Sequence, residues 1–129
     1  MVKNNSWLAY LLRLGIFLTF IGHGYFAIQA KEEWISYITY FGISLDFAEF
    51  ILPVIGVLDV ITGTLALIYP IRIIILWAFI WAFSTALVRP LSGLEIWDFI
   101  ERGSNWIVPL SLILIQGLPR NFKDLFKIS

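Results

Sequence analysis

Four long apolar runs, separated by short polar stretches, set the layout of this chain. A helix needs roughly 20 predominantly apolar residues to cross a bilayer. On that measure the pattern predicts spans over about residues 6–29, 46–68, 71–88 and 104–118. The fourth run is short, so a tilted or thinly covered helix is expected there. Two further segments show a different periodicity. Within residues 31–41, Trp34, Tyr37, Ile38 and Phe41 recur at three- and four-residue spacing. That spacing marks an amphipathic helix lying in the membrane interface. Residues 94–101 repeat the arrangement with Leu94, Trp97, Ile100 and Glu101. The fold expected is an all-α membrane protein, with four transmembrane helices in an antiparallel bundle and two short interfacial helices. All of it forms one domain over residues 1–129.

Local signals place the ends of these elements. Asn4, Asn5 and Ser6 supply N-cap chemistry before the first run, and Ser44 before the second. Gly42 ends the first amphipathic segment, Tyr69-Pro70 forms a tight turn, and Arg89-Pro90 is expected to end the third span. Gly117 and Pro119 close the fourth. Gly15 and Gly22 lie seven residues apart, as do Gly56 and Gly63. Each pair shares a helix face and predicts close approach of another helix. Ser84 and Thr85 are expected to bond back to carbonyls of their own helix.

Composition sharpens the class. The 129 residues are 60% hydrophobic and 14% charged, with a mean hydropathy of +0.87. Soluble domains carry about a quarter charged residues, so this chain belongs with integral membrane proteins and leaves no room for a separate soluble domain. A net charge of zero gives no case for nucleic acid. The absence of cysteine excludes disulfides, thiol redox centres and thiolate metal sites. A single histidine cannot build a His-rich metal site, so no metal is expected. The start of the chain is read as a retained first span. Its apolar run is too long for a signal peptide, Arg13 interrupts it, and no A-x-A site follows.

Charge also orients the bundle. With four spans, both termini and the 69–72 turn share one side, which carries Lys3, Arg72, Arg120, Lys123 and Lys127. The other side carries Lys31, Arg89 and Arg102 among acidic residues. The excess of basic residues puts the termini in the cytoplasm and the protein in the inner membrane.

Two polar layers then stand out. Asp59 sits near the middle of the second apolar run and Arg13 well inside the first. A charge at bilayer depth costs at least ~2.5 kcal/mol on insertion scales. Arg13 and Asp59 are therefore expected to pair, either as a structural lock or as a proton or ligand site. Toward the outer end gather His23, Glu49, Arg89, Glu95, Asp98, Glu101, Arg102 and Asn105, and Arg89, Glu101, Arg102, Asn105, Trp97 and Trp106 are the candidates to line an outer pocket. No Ser/His/Asp order, zinc-protease motif, phosphate loop or dinucleotide glycine motif is present, so no catalytic residue is assigned.

The stretch LLRLGIFLTFIGHG, followed by VIGVLDVITGTLALIYP, resembles the DoxX/DoxD-like membrane proteins. Members of that family carry an arginine, small residues and an HG pair in span one, then G-x-x-E-x-x-x-G in span two. Arg13, His23 and Gly24 match the first motif, and Gly56 and Gly63 the second. RPLSGLEIWDFIERGSNWIVPLSLI also looks like the region before the last span in such members. Asp59 stands where the family usually has Glu, and YFAIQ follows the HG pair where a lysine is common. The family takes its name from a membrane subunit of a thiosulfate:quinone oxidoreductase. The resemblance implies a subunit or accessory component of a quinone-linked redox system, binding a lipophilic carrier such as a quinone without covalent attachment. His23, Arg13, Asp59, Arg89, Glu101, Asn105 and Trp106 are the candidate ligand-binding residues. The chain has no redox-active side chain, so it is not expected to be an enzyme on its own. Two other classes fit the same residues. One is a non-enzymatic scaffold for a membrane or periplasmic protein partner, or for a homo-oligomer. The other is a small proton-coupled transporter or lipid-binding bundle, with Asp59 as proton carrier. The lipid bilayer is the partner common to all three.

Overall fold

A computed structural model of the protein describes residues 6–129. Lys3, Asn4 and Asn5 lie outside the described residues. Six α-helices follow in order: α1 (Trp7–Ile28), α2 (Glu32–Tyr40), α3 (Leu45–Ile68), α4 (Arg72–Leu91), α5 (Ile96–Ile100) and α6 (Gly103–Gln116). A 3₁₀ turn, Phe122–Phe126, closes the chain. Among the described residues there is no strand. Three helices, α1, α3 and α4, are long and apolar enough to cross a membrane. The fourth expected span, α6, has 14 residues. That gives a rise of about 21 Å against a hydrocarbon core of about 30 Å.

The helix starts follow from their caps. The Ser6 hydroxyl accepts from the Ala9 backbone N–H, and the Ser44 hydroxyl from that of Phe47. Each satisfies one of the orphan donors of a first turn. Ser84 bonds back to the Ile80 carbonyl and Thr85 to that of Ala82, as their positions predict. One boundary differs. Helix α4 does not stop at Arg89-Pro90 but runs through both residues to Leu91. A proline in the last turn forfeits a single backbone bond, and Ser92, whose N–H bonds the Val88 and Arg89 carbonyls, closes the turn instead. Arg89 is thereby held on the helix rather than in a loop.

The interior is built from small side chains. Ala9, Ala48, Ala66, Ala78, Ala82 and Ala86 are buried, while Leu11, Leu18, Leu58, Ile61 and Ile80 point outward. Such a distribution suits helices that touch through small residues and present branched side chains to lipid. Helix α1 packs along α3, and α6 packs on α4 and α1. The α1–α3 contact uses Gly24, Gly56 and Gly63. A Cβ on Gly24 would lie 2.8 Å from the Gly56 carbonyl oxygen, and one on Gly63 would lie 2.9 Å from the Phe20 Cβ. The expectation for α1 is corrected here. Gly22 has nothing within 4 Å of a built Cβ, and Gly15 meets only the Val108 side chain at 3.4 Å. The two glycines do share a helix face, but the α1–α3 crossing meets α1 at Gly24 instead.

The expected Arg13–Asp59 pair is not formed. Arg13 donates from both Nε and Nη2 to the Leu67 carbonyl. Leu67 lies in the last turn of α3, where carbonyls have no partner within the helix. A guanidinium there also meets the negative end of the helix dipole. Asp59 is eight residues earlier on α3, about 12 Å away along the axis. Arg13 thus answers to a helix end rather than to a carboxylate.

Arg72 plays a matching part at the chain's far end. Buried at the start of α4, it donates to the Gln116 carbonyl at 2.6 Å, the Gly117 carbonyl at 2.5 Å and the Asp124 carbonyl at 3.3 Å. The Gln116 amide donates to the Pro70 carbonyl at 2.6 Å. The C-terminus of α6 and the tail are thereby tied to the α3–α4 turn. Beyond it, the Asp124 carboxylate accepts from the Arg120 backbone N–H at 3.0 Å. That bond, with Lys127 nearby, holds the carboxyl below the usual carboxylate range.

Candidate functional site

Helix α2 is the element that makes the site. Its apolar stripe, Trp34, Tyr37 and Ile38, continued by Phe41, lines a cavity together with residues of α1, α3 and α4. The stripe was expected on a helix lying in the interface; in the structure it lines this cavity, with α2 packed against α3 between the α1–α2 and α2–α3 turns. Both turns use left-handed backbone. Ala30 has φ +54° and Gly42 has φ +88°. Glycine adopts that region freely, whereas alanine pays a steric penalty. None of the residues of α2 is fully buried.

The cavity has a volume of about 310 Å³, at the lower end of the range for small-molecule sites. Its wall is overwhelmingly apolar, with His23, Asp59 and Arg89 contributed by three different helices. Asp59 is 5% exposed and Arg89 6%. Arg89 Nη1 donates to the Tyr37 hydroxyl at 2.9 Å. Its guanidinium carbon also stands 5.1 Å from the Tyr37 ring centre and 6.0 Å from that of Trp34. Arg89 Nε is a buried donor with no partner. The His23 ring meets Trp34 edge-on at 5.6 Å. Trp81 and Thr85 of α4 complete the wall, and the exposed Phe41 and Ile43 stand at its margin.

Of the seven candidates, three converge and four do not. His23, Asp59 and Arg89 share the cavity. Arg13 caps α3 as described. Glu101 pairs with Arg102 at 2.6 Å and is exposed. Asn105 and Trp106 sit on α6, which packs on α4 and α1 rather than beside α2. Trp106 is instead the centre of an aromatic cluster, 5.2 Å from Phe83, 6.1 Å from Phe99 and 6.4 Å from Phe79. The expected outer pocket is therefore relocated. Its Arg89 belongs to the α1–α4 side, and its α5–α6 members form a packed aromatic wedge and a charged rim.

Trp34, Tyr37, Trp81 and Thr85 are among the wall residues not anticipated as part of a site. The signal for the first two was present in the α2 stripe. Trp81 and Thr85 had none, since a tryptophan or threonine in an apolar helix gives no direction. No group of three or more histidine, aspartate or glutamate side chains able to hold a metal occurs among the described residues. Chemically, the cavity offers an apolar slot with a fixed cation, a carboxyl and an imidazole, suited to an apolar molecule bearing a few polar atoms. Comparison with protein-family profiles, with curated proteins and with solved structures returns no match.

Proposed function

We propose that this is a DoxX-like integral membrane protein of the inner membrane that binds a lipophilic quinone-type carrier, as a subunit or accessory component of a quinone-linked redox system. In this reading α6 is the fourth span of an antiparallel bundle, α2 and α5 lie toward the outer face, and both termini are cytoplasmic. One observation carries the reading. An apolar cavity of about 310 Å³ draws His23, Asp59 and Arg89 together and leaves a buried Arg89 donor unanswered. A buried donor without a partner costs free energy, and a carbonyl or hydroxyl oxygen on an apolar ring supplies what is missing. The sequence has no cysteine, and in this reading the protein's part is to bind and orient the carrier.

A second reading is favoured by a separate observation. Trp97, Ile96 and Ile100 of α5 are exposed together, a surface that suits a scaffold docking another membrane or periplasmic protein. Native mass spectrometry from mild detergent, with lipid extraction of the same sample, separates the two. A retained quinone, lost in Arg89→Ala or His23→Ala, supports carrier binding. An apo mass with a stoichiometric partner supports the scaffold.

A further inference from the structure

Three arginines lie within the long helices, Arg13 on α1 and Arg72 and Arg89 on α4. A guanidinium has one edge formed by Nε and Nη2, two parallel donors that match the two oxygens of a carboxylate. In Arg13 both donors of this edge go to the Leu67 carbonyl. In Arg72 they go to the Gly117 and Gln116 carbonyls. Arg89 departs from that pattern. Its Nη1 is taken by the Tyr37 hydroxyl. Its Nε is a buried donor with no partner, and no group among the described residues accepts from its Nη2.

The charge of Arg89 is unanswered as well. The ion pairs among the described residues are Arg102–Glu101 and Lys127–Asp124, so neither Asp59 nor another carboxylate there pairs with Arg89. Arg102 and Asp98 also act on it, with opposite signs. The end of α4 adds partial negative charge but no acceptor on this edge. A buried cation left without a counter-ion is costly. Beside it the cavity wall includes Ala27, Leu52, Ile55 and Val88, all apolar. Arg89 itself stands two residues before the end of α4, so a charged group there lies toward the end of the span.

We propose that the cavity takes an anionic amphiphile, an oxyanion on an aliphatic chain, whose head binds the unfilled Nε–Nη2 edge of Arg89. This goes beyond the carrier reading and does not rest on it. A neutral carbonyl satisfies a donor and leaves the charge, whereas a carboxylate or phosphate answers both. The aliphatic chain fills the apolar slot. Asp59 takes no part in recognising the head. In Arg13 and Arg72 the same edge is filled by the protein's own carbonyls, so neither offers such a site.

The test is calorimetric titration of the full chain, solubilised in a non-ionic detergent, with dodecanoate, dodecyl phosphate, dodecanol and acetate. Dodecanoate is expected to bind at least ~10-fold more tightly than dodecanol, as charge-assisted hydrogen bonds allow. The ratio should fall to within about twofold in Arg89→Gln and recover in part in Arg89→Lys, which keeps the charge without the planar edge. Asp59→Asn should keep the ratio or raise it. Arg120→Gln, at an exposed arginine, should leave it unchanged, which separates the site from general charge attraction. Dodecanoate binding above dodecyl phosphate assigns a carboxylate head and the reverse a lipid-type phosphate, and either supports the proposal. Dodecanol binding as tightly as dodecanoate, acetate binding as tightly, or a ratio that survives Arg89→Gln would overturn it. A decyl-substituted para-benzoquinone titrated into the same sample reads the carrier separately, so a quinone that binds where dodecanoate does not overturns this proposal alone.

Discussion

Gly24 of α1 and Gly56 of α3 face each other so closely that a Cβ on either would lie 2.8 Å from the other's carbonyl oxygen. The contact is backbone against backbone, so no side chain can rotate aside. Gly24→Ala and Gly56→Ala are each expected to destabilise the protein by about 1–3 kcal/mol, the usual range for overpacking. Gly22→Ala, two residues away in open space, should be neutral or slightly stabilising, since alanine favours the helix. Thermal unfolding of the three variants in one detergent checks the contrast.

Arg13 and Asp59 should be energetically independent. Arg13→Ala removes a charged donor from the Leu67 carbonyl, at a cost of about 1.5–3 kcal/mol. Asp59→Asn should neither rescue nor deepen that loss, and the double variant should be additive within ~0.5 kcal/mol. A double-mutant cycle on unfolding free energy measures this directly. A coupling well above that margin would restore the ion pair.

Tyr37 supplies the hydroxyl that accepts from Arg89, a hydrogen bond between α2 and α4. Tyr37→Phe should loosen α2 while leaving the long helices intact. Amide hydrogen exchange should quicken across Glu32–Tyr40 and stay unchanged in α3. Ala30→Gly, at a left-handed position, should preserve or raise stability by up to ~1 kcal/mol, whereas Gly42→Ala should lower it by a similar amount.

Arg72 ties three carbonyls at once. Arg72→Ala should release the tail beyond Gly117, and limited proteolysis should then cut near residues 118–122. Lysine, a point cation without the planar fork, should restore the tie only in part.

The carboxyl of Asp124 is depressed by the Arg120 backbone N–H that donates to it. A folded value below the unfolded one means that the stabilising contribution is present above the unfolded value. It is lost as pH falls through the folded one. The tail should therefore be most ordered at neutral pH and loosen from about pH 4 downward, the ordinary carboxylate range. Exchange of the Arg120 amide across pH, flattened in Asp124→Asn, is the measurement.

Hydropathy alone determined where the long helices run. The expected spans over residues 6–29 and 46–68 agree with α1 and α3 to within a residue at each end. A lipid-facing helix satisfies its backbone internally, so its existence depends on local sequence. Caps such as Ser44 and breaks such as Gly42 were legible for the same reason, because their partners lie within a few residues. His23, Asp59 and Arg89 also announced themselves as polar groups in apolar surroundings. What only the tertiary structure decided was which of them meet. Arg13 and Asp59 looked like partners by charge and depth, yet Arg13 lies beside a helix end with free carbonyls and takes those. The α2 stripe was visible, but whether it faced lipid or protein depended on the turns at Ala30 and Gly42. Charge and hydrophobicity are properties of a residue, whereas a cavity is a property of how four helices fail to touch, and only their packing supplies that.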